Sequence, residues 1–93
     1  MLFMYIHTHT VEKCVADKPQ EVAKMFSKVQ DEAKKAGIKT VGVYFVPHEH
    51  TMYIIFDAGD LAAIEKALVP FTLWGNARLI PILSMEQATA IGR

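Results

Sequence analysis

The sequence predicts one α+β domain in which strands and helices follow the order βαββαβ, with a four-stranded antiparallel sheet and both helices on one of its faces. Three observations carry that prediction. Four segments of strand length are rich in β-branched and aromatic residues, two segments carry apolar residues at helical spacing behind capping residues, and Pro81 falls in the last strand. A proline cannot donate to a sheet ladder, so that strand belongs at an edge. The 93 residues suit a single compact domain.

The first strand spans Leu2 to Thr10, with Phe3, Tyr5, His7 and His9 on one side and Leu2, Met4, Ile6 and Thr8 on the other. A connection, "VEKCVA", leads to the first helix, where Asp17 and Gln20 read as a capping box and Pro19 is tolerated in the first turn. Val22, Met25, Phe26, Val29 and Ala33 form its apolar stripe, and Gly37 ends it. "IKTVGVYFV" is the second strand, stopped by Pro47; "PHEH" connects it to "TMYIIFDA", the third. Asp60 caps a second helix bearing Leu61, Ile64 and Leu68, which Pro70 closes. "ARLIPIL" is the fourth strand, and Ser84 with Gln87 makes a capping box for a short terminal helix. In this arrangement the first and third strands are expected to be central and parallel to each other.

Composition narrows the function classes. Ten basic residues balance ten acidic ones, and the lysines of the first helix are interleaved with Glu21, Asp31 and Glu32, the pattern of a solvated face rather than a track for nucleic acid. The single cysteine, Cys14, has no partner for a disulfide or a zinc motif and reads as an inert thiol in a reducing cytoplasm. "MLFMYI" lacks a basic leader and a cleavage site, so it reads as a strand rather than a signal peptide. No apolar run approaches the ~20 residues of a membrane span. Glycine-rich phosphate loops and nucleophile elbows are absent from the sequence.

The strands are apolar on both sides: Val41, Val43 and Phe45 against Tyr44 and Val46, and Leu79 and Leu83 against Ile80 and Ile82. Two helices cover only one face of a sheet, so a second copy of the chain is expected on the other. With "MLF" at the start, "YIIFDAGDLAAIEKAL" running from strand through cap into helix, and "LIPIL" as the last strand, nearly the whole chain resembles the dimeric α/β-barrel superfamily of ferredoxin-like fold. Within it, the chain resembles the small proteins of muconolactone isomerase type. The resemblance implies a homodimer, in a superfamily whose members isomerise lactones, degrade haem, form quinones as monooxygenases or dismutate chlorite; the expectation for this chain is binding, with acid/base conversion as an isomerase or a monooxygenase-like enzyme, of a small cyclic or aromatic organic acid. Haem-degrading relatives use a helix-borne histidine, and the first two helices here have none.

The histidines are the chemical feature of the chain. They come as two pairs, His7 with His9 and His48 with His50. Residues two apart on a strand share a face at about 7 Å, so His7 and His9 can serve one ligand. With the third strand parallel to the first, Asp57 is expected beside His9, and Arg78 and Trp74 at the same end, with Tyr5 and Tyr53 deeper on the same side. In this reading His7 or His9 carries a proton, Asp57 orients the imidazole, Arg78 holds an anionic group, and Tyr5, Tyr53 and Trp74 pack a ring. The competing reading makes these ordinary half-buried strand residues. His48 and His50 are expected as exposed turn residues at the opposite end, on the order of 20 Å from the first pair. A binding site for a divalent metal or haem built from the histidine pairs, with His48 and His50 contributed by a second subunit, is the alternative, and an oligomer without catalysis is a third.

Overall fold

A computed structural model of the chain describes residues 1–10, 18–69 and 75–91. Its elements run β1 (Leu2–Thr8), α1 (Pro19–Lys35), β2 (Lys39–Val46), a 3-10 turn (Pro47–Glu49), β3 (Thr51–Asp57), α2 (Leu61–Ala67), β4 (Asn76–Ile82) and α3 (Met85–Ile91). The strands form one antiparallel sheet in the order β2-β3-β1-β4, a ferredoxin-like α+β fold with Pro81 on an edge strand as its chemistry requires.

Each boundary has a local cause. α1 starts at Pro19 with Lys18 as its N-cap residue; the anticipated Asp17 cap lies outside the described residues, as does Pro70. At its C-terminus Gly37 takes the left-handed conformation, φ 74°. The Gly37 N–H donates to the Lys34 carbonyl at 3.1 Å and the Ile38 N–H to the Ala33 carbonyl at 2.9 Å, closing the helix with a Schellman pair. The Asp60 carboxylate accepts from the Ala62 N–H at 2.7 Å and starts α2. The Ser84–Gln87 box before α3 is reciprocal: Ser84 N–H donates to Gln87 Oε1 at 2.9 Å and Gln87 N–H to Ser84 Oγ at 3.1 Å.

The core lies between the helices and one sheet face. Phe3, Tyr5, Ile54 and Phe56 are buried there against Val29 and Ala33 of α1 and Ile64 and Ala67 of α2, with Met25 and Phe26 packed at its margin. On the other face Met4, Ile6, Tyr53, Ile55, Ile80 and Ile82 are half-buried, and Tyr44 is exposed. A bulge at Val41 in β2 lets the strand keep register with β3 on both sides of it.

One expectation is corrected. β1 and β3 are adjacent and central, but antiparallel, with His7 opposite Met52 and Leu2 opposite Asp57. The reason is topological. The crossover through α1 makes β1 and β2 run the same way, and β3, paired antiparallel to β2 through a short turn, is inserted between them. The end of β1 therefore lies beside the beginning of β3.

Candidate functional site

Antiparallel pairing brings the histidine pairs to one end of the sheet. His7 is the last inward residue of β1 and is 0% exposed. His9 follows just beyond the strand, half-buried, and its N–H donates to the His50 carbonyl at 3.2 Å. The rings stand in a row, with centroids 5.7 Å apart from His7 to His9 and 5.4 Å from His9 to His50, the second pair edge to face. The separation of about 20 Å anticipated from a parallel third strand is thus overturned for His50. His48 remains an exposed turn residue.

His50 closes the 3-10 turn in the left-handed region, φ 50° and ψ 42°, where residues other than glycine are uncommon. Its N–H donates to the Pro47 carbonyl at 3.2 Å, and Thr51 Oγ1 to the Glu49 carbonyl at 2.9 Å. The turn thereby holds the His50 ring against His9.

The remaining predicted residues separate. Asp57 pairs with Leu2 at the far end of the sheet, five residues from Met52 and about 17 Å from His7 by strand rise. There its exposed carboxylate binds the Met1 ammonium at 3.0 Å, so it orients no imidazole. Arg78 and Tyr53 both flank Ile6 and therefore lie on the open face, opposite the side taken by His7 and Tyr5. Their placement follows from parity: each is one residue out of step with the inward set. Trp74 and Cys14 lie outside the described residues.

Tyr5 and His7 stay together, with ring centroids 6.1 Å apart. Beside them a cleft of about 560 Å³ opens between α2 and β4, lined by Tyr5, Glu65, Lys66, Val69, Gly75 and Asn76 among others. That volume is in the range of small-ligand pockets. Gly75 separates the cleft from His7. A β-carbon at that position would collide with the Thr8 carbonyl oxygen and stand 3.0 Å from His7 Nε2, so the chain passes there only without a side chain. Sequence reasoning missed Glu65, Lys66, Gly75 and Asn76, which carry no motif and are brought to one cleft only by the tertiary fold.

Electrostatics sets the protonation states. Burial, and then the neighbouring His9, push His7 down to about 4, and burial followed by His50 lowers His9. The imidazole of His7 is therefore neutral at physiological pH and a poor proton acceptor. Burial, and then the Glu65 carboxylate, push Tyr5 up to about 12, which keeps its phenol a hydrogen-bond donor. Among the described residues no three His, Cys, Asp or Glu side chains are placed to hold a metal ion. No helix among them is long and apolar enough to cross a membrane.

A comparison with curated proteins finds no match. A family match covers residues 1–93 from end to end, and by it the chain belongs to the family described as a domain of unknown function, DUF3303.

Proposed function

We propose that the protein binds a small organic acid, cyclic or aromatic, in the cleft between α2 and β4, and does so as a homodimer joined through the open sheet face. The observation that carries the binding reading is the cleft itself. Apolar Val69, Leu68 and Leu79 supply walls for a ring, while Tyr5 offers a protonated phenol, Asn76 an amide and Lys66 an ammonium to a carboxylate. Glu65 at the same cleft favours a ligand that also presents a polar hydrogen.

Binding is favoured over acid/base conversion because the candidate proton carrier is suppressed. His7 is fully buried behind Gly75 and its basicity is far below the neutral range a general base needs. Its neutral imidazole supports the Tyr5 side of the cleft. The dimer reading rests on the open face: leaving its half-buried strand residues wet forgoes ~25 cal/mol per Å² of apolar surface.

Calorimetric titration with benzoate and with cyclohexanecarboxylate tests the binding reading. A dissociation constant at or below about 1 mM for either acid is expected, weakened severalfold by Tyr5→Phe and by Lys66→Ala with the fold intact. Absence of heat and of any amide-shift change at the cleft residues at about 10 mM acid would remove it.

A further inference from the structure

The cleft lined by α2 and β4 holds two opposite charges that do not cancel each other. Among the described residues its charged lining consists of Glu65 and Lys66, which are consecutive in α2. Side chains one position apart on a helix leave the axis about 100° apart and do not face each other. The ion pairs among the described residues, Met1 with Asp57 and Lys35 with Glu32, include neither of them.

Their surroundings differ as well. Lys66 also borders a smaller hollow that it shares with Glu32 and Lys35 of α1. Glu65 acts instead on Tyr5 of β1, whose phenol is pushed up to about 12 by burial first and by that carboxylate second. One cleft therefore offers an ammonium toward α1 and a carboxylate beside the phenol.

A simple carboxylic acid matches only half of this arrangement. Held by Lys66, Asn76 or Tyr5, it satisfies the ammonium and leaves site and ligand together with one negative charge in excess, between the apolar walls of Leu68, Val69 and Leu79. Taking an uncompensated charge out of water is costly. A hydroxyl elsewhere on the ligand would give Glu65 a hydrogen bond without balancing that charge. An ammonium does both, and hydrogen bonds between ionised groups are about twice as strong as neutral ones.

We infer that the ligand of this cleft is a zwitterion, a small acid with an apolar body whose carboxylate is held by Lys66 and whose ammonium is held by Glu65. The inference rests on the proposed binding of an organic acid and narrows it. Calorimetric titration with two matched pairs tests it: phenylalanine against phenyllactate, and para-(aminomethyl)benzoate against para-(hydroxymethyl)benzoate, with benzoate as the bare acid. Each pair exchanges ammonium for hydroxyl at nearly constant shape, and the pairs differ in the spacing of the two ends. In at least one pair the zwitterion is expected to bind about tenfold tighter than its hydroxy counterpart. E65Q is expected to cut that advantage to about twofold or less and at the same time to tighten benzoate, since it removes the repelling charge, with circular dichroism unchanged. Binding of benzoate with no ammonium advantage in either pair, or with an advantage that E65Q leaves intact, would overturn the zwitterion and leave the acid reading standing. An E65Q chain that loses zwitterion and benzoate alike would also overturn it, by making Glu65 a support of the cleft rather than a partner of the ammonium. No binding of any of these acids at about 10 mM would overturn both.

Discussion

The two faces of the sheet are built from the same strands and meet opposite fates. Ile54 and Ile55 are neighbours in β3, identical in chemistry; the first is 1% exposed beneath the helices and the second half-buried on the open side. The same holds for Tyr5 against Ile6 and Phe56 against Ile55. Hydrophobicity therefore does not distinguish the faces. What differs is the partner: α1 and α2 cover one side, and nothing within the described chain covers the other. An apolar face left uncovered in one protomer is an unfinished burial, which is the physical content of the dimer proposal.

Paired truncations would break or sharpen that contrast. Ile54→Ala should lower unfolding free energy by about 2–5 kcal/mol in urea titrations, because it opens a cavity in packed surroundings. Ile55→Ala, measured at protein concentrations below dimerisation, should cost only about 1 kcal/mol. Equal losses at that concentration would mean the open face is already covered within the single chain.

The histidine end supplies the next largest effect. Its folded-state value lowered from 6.5 to about 4 means the native protein disfavours protonated His7. The unfolded chain binds that proton first, so stability holds above about pH 6.5 and falls as pH drops through the window down to about 4. The contribution is at most about 3 kcal/mol. His7→Gln should flatten the part of the pH–stability curve between those limits, read as the difference between wild type and variant. An unchanged slope would show that His7 is not charged on unfolding.

Gly75→Ala should cost about 1–3 kcal/mol, since the new methyl meets a carbonyl oxygen and an imidazole rather than open space. It should also displace the His7 resonances in NMR spectra while leaving those of Ile55 in place. The smallest effect belongs to the caps. Asp60→Ala should destabilise by about 1 kcal/mol, whereas Ser84→Ala should fray α3 with little change in global stability, because α3 lies outside the core.

Much of this architecture was legible because its causes are local. Gly37, Asp60 and the Ser84–Gln87 pair each mark a helix end through a bond to a residue two to four positions away, so their meaning does not depend on the rest of the fold. Strand alternation sorted Tyr5 and His7 onto one side, and they remain neighbours. The grouping of Asp57, Arg78 and Tyr53 with them did not survive, because it required knowing strand direction and parity across pairs. The two-faced apolar pattern, read as a demand for a second layer, is matched by an open face on the structure.

By itself, then, the sequence determined which segments are strands and helices, where α1 stops and where α2 and α3 start, and that the sheet has more apolar surface than two helices can cover, since each depends on propensity, capping and periodicity over a few residues. Only the tertiary structure decided that β1 and β3 run antiparallel, that His9 meets His50 while Asp57 binds the amino terminus at the far end, and that residues of α2 and β4 line one cleft. Strand direction and helix placement are properties of the assembled topology, and reversing one central strand exchanges the residues at its two ends without altering a single local preference.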